Sequence, residues 1–139
     1  MKRRASSLAL LVVLAAGCSV NSMLNQMENE NDKTIDLVCD CTNVFPDRAA
    51  CEAQFASFLS PFDRDCLEDA LAADKKASKE SLECIVDQQK EYNDCLADML
   101  DCNDPNSYQG CQDIIQTNEC PQFPAEVQTE LKACGKNDD

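Results

Sequence analysis

The sequence predicts a small all-α, disulfide-rich helical bundle of about four to six short helices. Apolar residues recur at helical spacing, most regularly over residues 81–102, and no alternating run of β-branched residues follows residue 17. The chain contains 11 cysteines. Because large apolar side chains are few, we expect disulfides to supply stability that a lean core does not.

The N-terminus has the composition of an export signal. Basic residues at 2–4 precede an uncharged apolar run over 5–16, and Gly17 supplies a small residue before a cleavage site. The run is about 12 residues long, whereas a membrane-spanning helix needs about 20. We therefore expect residues 1–17 to be a signal peptide, so that the mature chain begins at Cys18.

The residues at the expected cleavage site, LAAGC over 14–18, resemble the lipobox of bacterial lipoprotein signal peptides. In that family the cysteine becomes the first mature residue and its sulfur carries a diacylglycerol. The resemblance implies that Cys18 is a lipid attachment site, and Ser19 in the next position favours the outer membrane. The cysteine count agrees with this interpretation, because ten cysteines remain without Cys18 and ten can close five disulfides.

The remaining cysteines predict a structural disulfide framework rather than a metal centre. Disulfides persist in exported proteins, and the paired C-x2-C spacing of zinc sites is absent from the sequence. Their distances from the turn near DKKASK favour a Cys66–Cys84 pair, with Cys51 facing Cys95 or Cys102. We expect neither a metal nor a cofactor. The framework cysteines are Cys39, Cys41, Cys51, Cys66, Cys84, Cys95, Cys102, Cys111, Cys120 and Cys134.

Three segments are expected after the signal peptide. Residues 18–33 are polar and contain no proline or glycine, which predicts a lipid-anchored tether. Residues 34–135 are expected to form the disulfide-stapled helical domain. Residues 136–139 are expected to be a frayed tail.

Helix signals follow one another along this domain. Thr34 is expected to cap the first helix, and a second is expected over 47–59. Ser60 is suited to cap a third, because a proline follows it at the first helical position. Shorter helices are expected over 111–120 and 124–135.

The longest helical pattern, over 81–102, predicts a central helix that is contacted on two sides. Its apolar stripe and its cysteines lie about 110° apart around the helix axis. The cysteines are Cys84, Cys95 and Cys102, and the stripe consists of Leu82, Ile85, Val86, Gln89, Asn93, Leu96, Met99 and Leu100.

Charge and composition exclude several kinds of function. The net charge of −14 becomes −17 when the three basic residues of the signal peptide are removed. Because phosphate groups repel such a polyanion, nucleic-acid binding is not expected. The chain has no histidine, and therefore lacks the usual base for general acid–base or nucleophilic catalysis. We expect no enzyme activity and identify no catalytic residue.

The sequence therefore predicts a non-catalytic exported lipoprotein that serves as a binding or structural module of the cell envelope. It would be anchored in a membrane, in the outer membrane facing the periplasm or the cell surface, and would meet a protein partner. Two alternatives stay open. An ordinary signal peptidase could accept Ala15-x-Gly17, which would release a soluble secreted cysteine-rich effector or signalling protein. A thiol-redox protein would instead use Cys39 and Cys41 as a labile disulfide.

Overall fold

The computed structural model describes residues 19–41, 47–59, 63–104, 106–117 and 119–135. Six helices account for 78% of these residues, and none of them lies in a strand. The predicted all-α, disulfide-rich fold is therefore confirmed. The signal peptide, Cys18 and the tail at 136–139 lie outside the described residues. The helices are α1 (Val20–Cys39), α2 (Arg48–Leu59), α3 (Arg64–Ala72), α4 (Lys75–Met99), α5 (Gln109–Gln116) and α6 (Ala125–Cys134).

Helices α1 and α4 pack against each other along the centre of the bundle. The smaller helices lie around this pair: α2 contacts α1, α5 contacts α4, and α3 packs against α6. The prediction that the segment after Ser81 forms the central helix is confirmed, although α4 begins at Lys75 and ends at Met99. Its apolar stripe is buried at Leu82, Val86, Asn93 and Leu96. Met99 differs from the prediction, since it is 55% exposed.

The apolar core is small and is assembled from four helices. Met23 and Leu24 of α1 meet Leu71 of α3, Leu82 of α4 and Val127 of α6. Burying one such side chain contributes about 1.5–3 kcal/mol. A core of this size leaves much of the stability to hydrogen bonds, ion pairs and disulfides.

The predicted tether over 18–33 is wrong for the residues from 20 onward, which form the first part of α1. Ser19 caps this helix, because its side-chain oxygen accepts a hydrogen bond from the backbone N–H of Ser22 at 3.2 Å. A helix that contacts neighbours along one stripe can be polar over most of its surface. For that reason a mostly polar segment still packs on the bundle, and Thr34, the predicted cap, lies inside the helix rather than at its start.

The two arginines among the described residues both link α1 to a following helix. Arg64 of α3 donates to Glu28 and to the side-chain oxygens of Asn21 and Asn25 in α1, the latter two at 2.8 Å. It also donates to Glu68 of its own helix at 2.8 Å. The planar guanidinium supplies several donors in fixed directions, which suits it to hold two helices in register.

Arg48 has the corresponding position at the other end of α1. It donates to the carboxylates of Asp36 in α1, of Asp40 directly after α1, and of Glu52 in α2. The hydrogen bonds that Arg48 donates to Glu52 and, next, to Asp36 raise the pKa of its guanidinium. The cation is therefore surrounded by acidic groups of its own chain.

All ten cysteines of the framework are joined in five disulfides, each between different parts of the chain. The predicted Cys66–Cys84 pair is wrong, because α3 packs on α6 and does not run along α4. The expectation that Cys51 faces Cys95 or Cys102 is also wrong, because Cys51 lies one turn into α2, beside the end of α1. The pairs are Cys39–Cys51, Cys41–Cys102, Cys66–Cys134, Cys84–Cys120 and Cys95–Cys111.

Other helix ends agree with the sequence signals in part. Helix α6 begins after Pro124 and ends at Cys134, with Gly135 directly after it, as predicted. Helix α3 is capped by Asp63, whose carboxylate accepts from the backbone N–H of Asp65 at 2.8 Å. Ser60, the predicted cap, lies outside the described residues.

Candidate binding site

A cavity of about 280 Å³ lies at the end of the bundle where α1 and α4 terminate. Helices α2 and α5 and the segment between α4 and α5 complete its wall. Most of its surface is apolar, and the polar groups are few. It is lined by Val38, Cys41, Phe55, Tyr92, Leu100, Asp101, Cys102, Asp104, Tyr108 and Gln112.

Both tyrosines of the chain line this one cavity. Tyr92 lies on α4 and is partly buried, whereas Tyr108 directly precedes α5 and is 37% exposed. Phe55 of α2 adds a third aromatic ring. The chain contains only seven Phe and Tyr residues and no tryptophan, so three of its seven aromatic side chains meet here.

Two disulfides assemble the cavity from distant parts of the sequence. The Cys41–Cys102 bond joins the end of α1 to the segment that follows α4, across 61 residues. The Cys95–Cys111 bond holds α5 against α4 and so brings Tyr108 beside α4. The cavity therefore depends on disulfides for its shape more than on a continuous apolar core.

The segment between α4 and α5 carries the two carboxylates of the cavity. The Asp101 side chain accepts from the backbone N–H of Asn103 at 2.9 Å, and Asp104 accepts from that of Asn106 at 2.9 Å. The backbone N–H of Asp101 in turn donates to the Ser107 hydroxyl at 2.9 Å. Side-chain bonds of this kind fix a turn without regular secondary structure. They hold both carboxylates in place on the wall of the cavity.

The Tyr92 phenol remains neutral near pH 7. Burial raises its pKa above the ordinary value, and the nearby Tyr108 adds a smaller effect in the same direction. The group therefore keeps its proton and can donate a hydrogen bond as well as present an aromatic ring.

A second polar cluster, buried between α1 and α4, has a structural role. The Asn93 side chain donates to the Glu30 carbonyl oxygen at 2.8 Å and to its carboxylate at 3.0 Å, and accepts from the Thr34 hydroxyl at 2.6 Å. Gln89 donates to the Thr34 oxygen at 2.7 Å, and Lys33 donates to the Glu30 carboxylate at 2.6 Å. These hydrogen bonds join α1 to α4 through polar groups of both helices.

Glu30 remains ionised within this cluster. Burial alone would raise its pKa, but the hydrogen bonds from Lys33 and Asn93, with the charges of Lys33 and Lys90, outweigh burial and lower the pKa below 4.5. A half-satisfied buried carboxylate would be costly, and here the partners on both helices stabilise it.

The sequence analysis assigned particular roles to Cys18, Cys39 and Cys41. Cys18, the predicted lipid attachment site, lies outside the described residues. Cys39 and Cys41 bond to Cys51 and Cys102 and not to each other, so the redox hypothesis loses the disulfide on which it depended.

The aromatic residues of the cavity were missed by the sequence analysis. Tyr92 lies four residues before Leu96, a buried residue of the stripe, and this spacing placed it near the packed face of α4. That signal could have drawn attention to it. Its meeting with Tyr108 depends on the Cys95–Cys111 pairing, which spacing alone does not determine.

Neither a metal site nor a membrane-spanning helix is found among the described residues. Over the residues that the structure describes, no group of three or more cysteine or acidic side chains is placed to hold a metal ion. Within the same part of the chain, no helix has both the length and the apolar character needed to cross a bilayer.

No protein-family model, curated protein or solved structure matches this chain. The fold itself defines the class: a small all-α protein held by five disulfides. Disulfides in this number indicate an extracellular or exported protein, because the cytosol keeps thiols reduced.

Proposed function

We propose that the protein is a non-catalytic exported lipoprotein that acts as a binding module of the cell envelope. The observation that carries this proposal is the meeting of both tyrosines in one small cavity at one end of the bundle. A mainly apolar concavity with a few fixed polar groups is the usual form of a binding site.

The proposed anchor lies at the other end of α1. Cys18 directly precedes Ser19, the cap of this helix, and Val38 and Cys41 at its far end line the cavity. A helix of 20 residues is about 30 Å long. A diacylglycerol on Cys18 would thus leave the cavity on the side of the domain that faces away from the membrane.

The lipid anchor is tested by the intact mass of the mature protein isolated from the membranes of an expressing bacterium. We expect a chain that begins at Cys18 and carries the added mass of a diacylglycerol and an N-terminal acyl group or amine. A mature protein with an unmodified N-terminal cysteine contradicts the anchor and supports the soluble secreted alternative.

The binding role is tested by nuclear magnetic resonance with the isotope-labelled mature lipoprotein and unlabelled envelope extract from its host. We expect amide signals of Asp101, Tyr108 and Gln112 to shift, while those of the α3–α6 side stay unchanged. The Tyr108→Leu variant, altered at a partly exposed position, should lose the shifts. An extract that moves no signal around the cavity overturns the binding role.

A further inference from the structure

We infer that the cavity lined by Tyr92 and Tyr108 binds a small alkylammonium ion, held between its aromatic rings and the carboxylates of Asp101 and Asp104. This inference rests on the proposed binding function and adds the chemistry of the ligand. Three features of the cavity support it: its rings, its charge and its size.

The aromatic rings favour a cation over other ligands of the same size. Phe55, Tyr92 and Tyr108 surround a small volume, and the π face of an aromatic ring attracts an ammonium group within about 6 Å of its centre. Alkyl groups on the nitrogen add apolar contact with the rings and with Val38 and Leu100, which an inorganic cation would not provide.

The charged side chains that line the cavity among the described residues are all acidic. Asp101 and Asp104 are acidic, and no lysine or arginine is found among the described residues that line the cavity. Arg48, on the neighbouring helix α2, is already surrounded by the carboxylates of Asp36, Asp40 and Glu52. An anion would therefore meet two carboxylates of its own sign and no cationic side chain among the described lining residues, whereas a cation finds two carboxylates of opposite sign.

The size of the cavity restricts the ligand to a small molecule. Sites for drug-sized ligands have volumes of roughly 300–1,000 Å³, and this cavity, at about 280 Å³, lies at the lower end. One quaternary or primary ammonium group with a short alkyl chain fills such a space. The exposed edge of Tyr108 leaves an entrance from solvent.

The composition of the chain provides a direct readout of binding. It contains no tryptophan, and both of its tyrosines line the cavity, so its tyrosine fluorescence reports on this site alone. The experiment is a titration of the mature lipoprotein, in a non-ionic detergent without aromatic groups, with choline and with dimethylbutanol, the uncharged carbon isostere of choline.

We expect choline to change the tyrosine emission along a saturating curve and to bind roughly tenfold more tightly than dimethylbutanol. The double variant Asp101→Asn/Asp104→Asn should lose this preference, since asparagine keeps a side-chain oxygen for the turns but removes the charge. The matched control, Asp32→Asn/Asp69→Asn, removes two exposed carboxylates outside the cavity and should bind choline as the wild type does.

Four results overturn the inference. If choline and dimethylbutanol bind equally well, the cavity does not prefer a cation. If the control variant loses choline binding, the effect comes from the net charge of the protein and not from the two carboxylates of the cavity. A lysine-containing peptide that binds more tightly than choline makes a protein side chain the occupant instead of a free ion. If choline does not bind but envelope extract still shifts the amide signals around the cavity, the binding role stands and the ammonium ligand is rejected.

Discussion

The side-chain amide of Asn93 in α4 bonds to both the carbonyl oxygen and the carboxylate of Glu30 in α1, at 2.8 and 3.0 Å. These two residues, 4% and 5% exposed, join the longest helices of the bundle through a buried polar contact. Since the apolar core lies elsewhere, around Leu71 and Val127, this contact fixes the relative position of α1 and α4 at their middle.

Replacement of Asn93 by alanine is expected to destabilise the protein. The variant removes the hydrogen bonds from the Asn93 amide to the carbonyl oxygen and the carboxylate of Glu30, and the acceptor for the Thr34 hydroxyl. Weakening the satisfaction of these buried groups costs about 1–3 kcal/mol in the free energy of unfolding. Chemical denaturation with the disulfides intact measures this loss. The neighbouring Asp94→Ala variant, altered at an exposed position, serves as the control and should unfold as the wild type does. Equal stability of both variants would show that the buried contact contributes nothing.

Acid is expected to weaken the same contact. The pKa of Glu30 is lowered in the folded protein, so the folded state binds a proton less readily than the unfolded chain. Its contribution to stability is therefore present above pH 4.5 and is lost as the pH falls through the lower folded pKa.

The pH dependence is measured by denaturation of the wild type and of Glu30→Gln between neutral and acid pH. The variant should be less stable than the wild type near pH 7, and the difference should shrink below pH 4.5. A difference that is constant across this range contradicts the assignment of the ionised state to Glu30.

The sequence was sufficient for the helical class and for the central position of α4, because hydrophobic spacing and cysteine spacing are local patterns. It also predicted a stripe of disulfide-bonded cysteines on this helix at Cys84, Cys95 and Cys102. Cys84 and Cys95 lie in α4 and are bonded, whereas Cys102 lies beyond its end and bonds to Cys41. The role of α1 could not be deduced in the same way. Its contacts come from a few apolar residues such as Met23 and Leu24 in an otherwise polar segment, and composition over a long stretch hides so narrow a stripe.

The cavity could not be predicted from the sequence, for a different reason. Tyr92 and Tyr108 are brought together by bonds whose pairing depends on the packing of whole helices, as the Cys66–Cys134 bond shows. Equal distance from a turn predicts partners only where two helices run side by side. Helix α3, which has nine residues, packs mainly against α6 and not alongside α4.

Proteolysis without reduction distinguishes the two pairings of Cys66. Trypsin releases this cysteine in the peptide 65–75. We expect mass spectrometry to find that peptide joined to ACGK, residues 133–136, through Cys134. A peptide joined instead to 80–90, which contains Cys84, would contradict the packing of α3 on α6.

The proposed lipid anchor and the position of α1 together predict which end of the domain would meet the membrane. Ser19 and Val20 lie around the same concavity as Lys75 and Lys79 at the start of α4. Because α1 begins at Val20, only two residues along the chain from Cys18, a lipid on Cys18 would lie close to this end of the domain. The start of α4 should therefore lie against the headgroups.

Reaction of lysines with a water-soluble amine reagent, followed by mass spectrometry, tests this orientation. In vesicles, Lys75 and Lys76 should react several-fold more slowly than in detergent, because the bilayer surface restricts access to them. Lys90, about 21 Å further along α4 at 1.5 Å per residue, serves as the internal control and should react equally in both. Equal reactivity of all three lysines in vesicles and detergent would mean that the domain stands clear of the surface, on a hinge within the residues before Val20.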